Sequence, residues 1–160
     1  MPVKRLPLLQ LGGKDQFALY QCHYDQIFEV DQLHDPLGRV IYFPPNMCRH
    51  ICFTGDPKSE DPRNRVVWEQ DRAECLEWLR VALVDPGEIR PNHQQPAHEA
   101  YLLEVLQDQI VAKYPAYYYV SVKPDKLNNR VILLTGYPVN FDYWLRARRG
   151  NIPIWKRKRR

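Results

Sequence analysis

Tyr117-Tyr118-Tyr119-Val120-Ser121-Val122, followed after the polar Lys123–Arg130 by Val131-Ile132-Leu133-Leu134-Thr135-Gly136-Tyr137, decides how the rest of the chain is read. Both runs are rich in β-branched and aromatic residues, which suit a pleated, half-buried surface, and Asn128-Asn129 between them suits a tight turn. They predict a central antiparallel pair. Upstream, Glu88–Arg90 begins another strand and Pro91–His98 is a polar loop. Ala100–Ala112 stays open: Tyr101, Leu103 and Val105 alternate like a strand, whereas Leu102, Leu103, Leu106, Ile110 and Val111 make a helical face.

Before these strands, Val67, Cys75, Trp78, Leu79, Ala82 and Leu83 recur at helical spacing and predict a helix from about Glu69 to Val84. Asp85-Pro86-Gly87 stops it, because Pro disfavours helix at the preceding residue and Gly accepts a left-handed end. Gly55–Asn64, with Asp56-Pro57 and Asp61-Pro62, reads as a loop. Asn46 is placed to cap a short helix over Met47–Phe53 that carries His50. Ile27–Val30 and Val40–Phe43 flank His34-Asp35-Pro36-Leu37-Gly38 and predict a β-hairpin. Phe17, Leu19, Cys22 and Tyr24 suit a strand over Gln16–Asp25. The expectation is an α+β domain, an antiparallel β-sheet with helices packed on one face. It divides into an N-terminal arm or early short strand over residues 1–15, a single domain over 16–145 and a basic segment over 146–160.

A chain of 160 residues suits one domain, since domains cluster near roughly 100–150 residues. With 44% hydrophobic and 26% charged residues, four Trp, ten Tyr and five Phe, wholesale disorder is excluded. No apolar run approaches the roughly 18–20 residues that cross a bilayer, and Met1–Leu11 lacks a secretory apolar region, so a cytoplasmic protein without membrane association is expected. Cys22, Cys48, Cys52 and Cys75 do not form two close pairs, so reduced thiols are expected and a zinc site from Cys48, Cys52, His50 and His23 is disfavoured.

The formal charge of +4 is unevenly spread. Eight Lys or Arg and no acid lie in Arg146–Arg160, leaving 15 bases against 19 acids, a net of −4, in residues 1–145. Such an end can sit against a polyanion, where cations displace condensed counterions, or be a solvated, frayed terminus.

Glycine-rich phosphate loops, a GxSxG elbow, HExxH and an acid cluster suited to two Mg²⁺ ions are missing, so no cofactor and no metal are expected. The remaining His, Arg, Lys, Thr and Tyr residues can cleave RNA without metal. RNA supplies its own nucleophile in the 2′-hydroxyl, so the protein need only move protons and stabilise charge. His50 is the candidate acid/base because imidazole exchanges a proton near neutral pH, although most isolated histidines are structural. Lys123 at a strand end and Arg90 past the helix stop are candidate phosphate contacts, against a bland reading as surface cations. Thr135 and Tyr137 share one strand face, where sheet packing is their commoner use. Tyr117-Tyr118-Tyr119 and Tyr143-Trp144 can stack on unpaired bases or fill a core.

The order of several short motifs resembles a known family. Phe28-Glu29-Val30-Asp31, Gly38-Arg39-Val40-Ile41 and His50-Ile51 are followed by Asp85-Pro86-Gly87-Glu88-Ile89-Arg90, Tyr119-Val120-Ser121-Val122-Lys123, Thr135-Gly136-Tyr137-Pro138 and Gly150-Asn151-Ile152-Pro153-Ile154-Trp155. Over roughly Phe28–Trp155 this is similar to the phage-associated branch of the barnase/EndoU/colicin/RelE-like nucleases, small domains of mobile elements and toxin systems. The resemblance implies a metal-independent endoribonuclease of the toxin or toxin–antitoxin kind. His50 would then be the acid/base, Arg90 and Lys123 phosphate contacts, and Thr135 and Tyr137 polar groups lining the cleft. RNA contacts are expected from Arg146, Arg148, Arg149, Trp155, Lys156 and Arg157, and a neutralising antitoxin or immunity protein would be the partner. Two positions depart from the pattern. Relatives commonly continue after His-Ile into R-H-P-E, where this chain has Cys52-Phe53-Thr54-Gly55-Asp56-Pro57, and their T-A-Y reads Thr135-Gly136-Tyr137 here. An inactive RNA- or protein-binding module of the same fold is the alternative, as is a structural component of a phage-like assembly.

Overall fold

In a computed structural model, described here for residues 4–28, 32–55, 58, 60, 65–107, 117–150 and 152–158, the chain is an α+β protein built on a mixed sheet. Four consecutive strands, β5 (Glu88–Pro91), β6 (Glu99–Gln107), β7 (Tyr117–Asp125) and β8 (Arg130–Val139), pair antiparallel with β7 inside the sheet. The remaining members are short: β1 (Lys4–Leu6) runs parallel to β6, β2 (Val40–Tyr42) parallel to β8, and β9 (Trp155–Lys156) antiparallel to β5. The expected antiparallel core is there, but β1 and β2 make the sheet mixed. Separately, β3 (Phe53–Gly55) and β4 (Arg65–Trp68) form a small antiparallel pair bounding the expected loop, most of which lies outside the described residues.

Phe17–Phe28 is a helix, α1, and not the strand expected over Gln16–Asp25. The alternation Phe17, Leu19 leads nowhere, because Leu19 is exposed, whereas Tyr20, Tyr24 and Phe28 recur every four residues and are all buried. The Tyr20 hydroxyl donates to the Gly12 carbonyl at 2.7 Å and accepts from the Leu11 amide, tying residues 9–12 to the helix. Where described, residues 1–15 include an early short strand, β1, and continue packed on the body: Trp78 Nε1 donates to the Pro7 carbonyl, and Leu6, Leu8, Leu9 and Leu11 pack on the main core.

The hairpin expectation also fails, although its turn forms. Asp35 accepts the Leu37 and Arg39 amides at 3.0 and 2.9 Å, and Gly38 takes a φ of +78°. Its proposed first arm is split, since Ile27 and Phe28 belong to α1 and residues 29–31 lie outside the described part. Only a single bridge, His34 to Val40, closes the turn, and β2 pairs with β8 instead. The short helix expected near His50 is α2 (Met47–Cys52), but Asn46 enters it with a left-handed φ of +61° and without a side-chain cap. The long helix expected up to Val84 is two, α3 (Gln70–Glu74) and α4 (Leu76–Val84), broken at Cys75. Its stop at Asp85-Pro86-Gly87 holds. The ambiguous Ala100–Ala112 is strand β6 through Gln107, because β5 and β7 on its two sides satisfy its backbone; residues 108–112 lie outside the description.

Helices α1, α2 and α4 cover one face of the sheet, the main core around Trp78, Leu79, Ile51, Tyr118 and Val120. The other face carries a fifth helix that sequence reading did not anticipate, α5 (Phe141–Arg148), so helices lie on both faces. Asn140 caps it by accepting the Tyr143 amide at 2.8 Å, and Asp142 and Arg146 sit at the ends that suit their charges. Trp144 and Ala147 bury against Ala100, Leu102 and Val139; a Trp so covered contributes on the order of 2–3 kcal/mol. Among the described residues no helix is long and apolar enough to cross a membrane.

Gly136 points at the main core, where a Cβ would lie 2.8 Å from Leu79 Cδ1 and 3.1 Å from the Tyr118 hydroxyl. This explains Gly where the resembling pattern has Ala. Overpacking of this kind costs about 1–3 kcal/mol, offset in part by the reduced freedom of the unfolded chain, so Gly136→Ala is expected to destabilise by about 1 kcal/mol in urea denaturation. An increase in stability would show that Leu79 moves aside freely.

Candidate functional site

Side-chain alternation sorts the strand residues between the two faces. In β7, Tyr118, Val120 and Val122 enter the main core, so Tyr117, Tyr119, Ser121 and Lys123 face the other way, towards the side of α5. The register then fixes β8: Tyr137 lies opposite Tyr119 and Thr135 opposite Ser121, on that same second face. Val122 pairs with Leu133, which leaves Leu134 as an extra residue, a bulge immediately before Thr135. On β5, Glu88 and Arg90 lie opposite Leu102 and Ala100 and share this face too.

An aromatic and polar cluster occupies its middle. The Tyr119 ring lies 5.5 Å from Tyr137, 5.3 Å from Tyr143 and 6.2 Å from His93, and His93 lies 5.4 Å edge-on to Tyr143. The Tyr137 and Tyr143 hydroxyls are 3.0 Å apart. Asn92 organises the loop that delivers His93. Its amide nitrogen donates to the Tyr119 hydroxyl at 2.8 Å and Ser121 Oγ at 3.1 Å, while its oxygen accepts the Gln94 and Gln95 amides. Two guanidiniums flank the rings. Arg146, exposed on α5, lies 5.5 Å from the Tyr143 ring centre, and Arg72 reaches from α3 to within 4.6 Å of that of Tyr137. It does so beside the stretch of β8 past Ile132, whose outer edge pairs with no strand among the described residues.

The electrostatics divide the labour. Burial pushes the Tyr119 phenol up to about 12 and raises Tyr137 and Tyr143 as well, so these hydroxyls stay neutral and donate hydrogen bonds at neutral pH. Burial, helped by the positive charge of Arg146, instead lowers His93, which keeps its imidazole unprotonated and able to accept a proton. Its Nδ1 is buried and makes no hydrogen bond within the described chain. A group held neutral in the fold but free to charge when unfolded binds fewer protons folded, so stability rises with pH in that window. Denaturation midpoints are therefore expected to fall on acidification below about pH 6.5, less so in His93→Gln. Equal pH slopes for the two proteins would exclude the effect.

The residues singled out in the sequence separate as follows. Thr135, Tyr137 and exposed Lys123 share the second face with the cluster. Arg90 shares it but is buried, with its guanidinium 3.1 Å from Glu88 and donating to the Arg148 carbonyl, so it holds the base of α5 and is not presented to a phosphate. His50 is half-buried on the flank of α2, in the layer packed on the main-core face; the sheet stands between that layer and the side chains of Thr135 and Tyr137. Two cations of the basic segment are paired and its tryptophan is packed: Arg148 meets Glu88 at 2.6 Å, Arg157 meets Asp85 at 2.6 Å, and Trp155 packs on the main core from β9. Arg146, Arg149, Lys156 and Lys158 are exposed, and Arg159 and Arg160 lie outside the described residues.

Sequence reading passed over Asn92, His93 and Arg72. The first two lay in a segment read as polar loop, and Arg72 in one read as helix. The available signal was the pair Asn92-His93 immediately after a strand, since Asn folds such loops through its side chain. Cys48, Cys52 and Cys75 are buried free thiols, with hydrogen bonding to Cys52 and burial raising Cys48, and among the described residues no three His, Cys, Asp or Glu groups converge as metal ligands. Compared with protein-family models, with curated proteins and with solved structures, the chain matches none.

Proposed function

We propose that this chain is a metal-independent endoribonuclease whose reacting centre is the second-face cluster around His93. The observation that carries the reading is a neutral imidazole, one nitrogen buried and unpartnered, held edge-on to phenols with the Arg146 guanidinium beside it. Buried titratable groups with shifted protonation and unsatisfied atoms concentrate at functional sites. In the reaction His93 takes the proton of a ribose 2′-hydroxyl. The 2′-oxygen attacks the adjacent phosphorus, the bond to the 5′-oxygen breaks, and the departing oxygen is protonated from the hydroxyl pair of Tyr137 and Tyr143. Arg146 offsets the charge that develops on the phosphoryl oxygens, and the half-buried rings of Tyr137 and Tyr143 favour unpaired bases over duplex. The products are a 2′,3′-cyclic phosphate and a 5′-hydroxyl. The reading agrees with the nuclease resemblance in chemistry and in the use of Tyr137, and moves the acid/base from His50 to His93.

An oligoribonucleotide with one 2′-deoxy residue at the cleavage position is expected to stay intact there, while chelator leaves turnover of the all-ribose substrate unchanged. Cleavage of an all-DNA strand at a comparable rate would overturn the proposal.

A further inference from the structure

The second face continues past Thr135 to the edge of the sheet, where β2 pairs with the start of β8. Ile41 and Val131 enter the main core, so their neighbours Val40, Tyr42, Arg130 and Ile132 face the second side, in line with Lys123. Tyr42 is 41% exposed, and the Arg130 guanidinium lies over its ring at 4.7 Å. The cavity has a volume of about 560 Å³ and wraps round the edge strand, bounded by Phe28, Phe43, Tyr42, Arg130, Gln32 and Asn128. That volume falls within the roughly 300–1,000 Å³ of small-ligand sites.

The lining suits one kind of occupant. Phe28 and Phe43, with ring centres 4.6 Å apart, supply an apolar wall, and Tyr42 with Arg130 supplies a flat stacking surface. Asn128 donates to Asp125 at 2.8 Å and keeps its carbonyl oxygen as an acceptor, while Gln32 offers both an acceptor and a donor at the rim. Asp125 is ion-paired with Arg130 at 2.8 Å, so the corner has little net charge, and the exposed Lys123 and Lys126 stand beside it. A neutral, planar, hydrogen-bonding ring attached to an anionic backbone matches this arrangement: an unpaired nucleobase. Arg130 and Tyr137 are seven positions apart on β8, on the order of 20 Å along a strand. That span makes the corner a separate station on the same face as the reacting centre.

We infer that the Tyr42–Arg130 corner is a base-stacking subsite that holds an unpaired nucleotide of single-stranded RNA several residues away from the cleaved bond. The inference rests on the ribonuclease reading for its substrate, and its test is arranged to separate the two. The probe is a fluorescent single-stranded RNA of twelve residues or so, made uncleavable by 2′-O-methylation; alanine replacement of a stacking aromatic weakens binding by about tenfold or more. Tyr42→Ala is expected to show that loss and Tyr42→Trp to restore affinity, while both cleave a dinucleotide substrate, too short to reach the corner, at the native rate. Arg130→Gln, which keeps the ring but removes its cationic cover, should weaken the long probe as well and serves if Tyr42→Ala melts early. Native affinity for the long probe in Tyr42→Ala and Arg130→Gln overturns the subsite even if RNA is cleaved. Tyr42-dependent binding by a protein that cleaves no RNA upholds the subsite and removes the nuclease reading alone.

Discussion

Arg39→Ala is expected to lower the stability of the fold by about 3–5 kcal/mol, the range for removing one partner of a buried ionic network. Arg39 ties Asp35, four residues before it, to Glu99 and Tyr101 on β6, some sixty residues away. Its Nε donates to Asp35 at 2.9 Å, and its terminal nitrogens donate to Glu99 at 3.1 and 2.7 Å and to the Tyr101 hydroxyl at 3.0 Å. Tyr101 in turn donates to Asp35 at 2.5 Å. The Asp35 side chain is fully buried and those of Glu99 and Arg39 are only 12% and 16% exposed, so solvent screens the network little. Burial works against the Arg39 charge, but hydrogen bonding to Glu99 and the surrounding charges more than offset it and hold the guanidinium protonated. Without Arg39 two carboxylates face each other around a phenol that burial has already pushed upward. For a domain of this size each kcal/mol shifts the melting temperature by roughly 2–4 °C, so a drop on the order of 10 °C should be seen by calorimetry. Arg39→Lys, which keeps the charge but loses the forked geometry, should fall between the two proteins. A loss under about 1 kcal/mol would mean that the network behaves as a surface pair.

Replacing His93 by Ala is expected to reduce RNA cleavage by about 10²–10⁴-fold, the usual contribution of a positioned general acid or base. His50→Ala should remain within a few-fold of native. The reverse pattern returns the acid/base to α2, where the family resemblance has it. The pH profile gives an independent reading. A base must be unprotonated to act, and burial with Arg146 lowers the His93 imidazole, so the acid limb of kcat/KM should lie below the ordinary histidine range. Arg146→Gln removes the charge that helps to lower it, and the limb should then move to higher pH. A limb that stays in place in both variants would detach the titration from His93. Induction in cells supplies a coarser comparison, with growth arrest expected from the native chain and not from His93→Ala.

Local chemistry carried part of this far. Pro86 and Gly87 mark a helix end because one restrains the residue before it and the other accepts the backbone that follows, whatever surrounds them. The runs of Tyr117–Val122 and Val131–Tyr137 likewise pair as the only strongly β-forming neighbours joined by a short turn. Where a segment satisfied two periods, local pattern failed. Gln16–Asp25 looked like a strand through Phe17, Leu19, Cys22 and Tyr24, and Phe17–Phe28 is a helix, because Leu19 and Cys22 are exposed whereas Tyr20, Tyr24 and Phe28, four residues apart, are buried. The site divided in the same way. Thr135 and Tyr137 were legible as one face of one strand, but which other residues meet them depends on strand register and on which face α5 covers.

From the amino-acid order alone came the α+β class, the central strand pair, the helix stop and the shared face of Thr135 and Tyr137, since each depends on interactions within a few residues. The tertiary structure decided that β2 joins β8 in parallel, that Arg90 and Arg148 are spent on Glu88, and that His93 meets Tyr119 and Tyr143. Apart from Arg90 with Glu88, those contacts join residues 26 to 90 positions apart, and the free energy that selects among such pairings comes from burial and register across the whole sheet, which no local window contains.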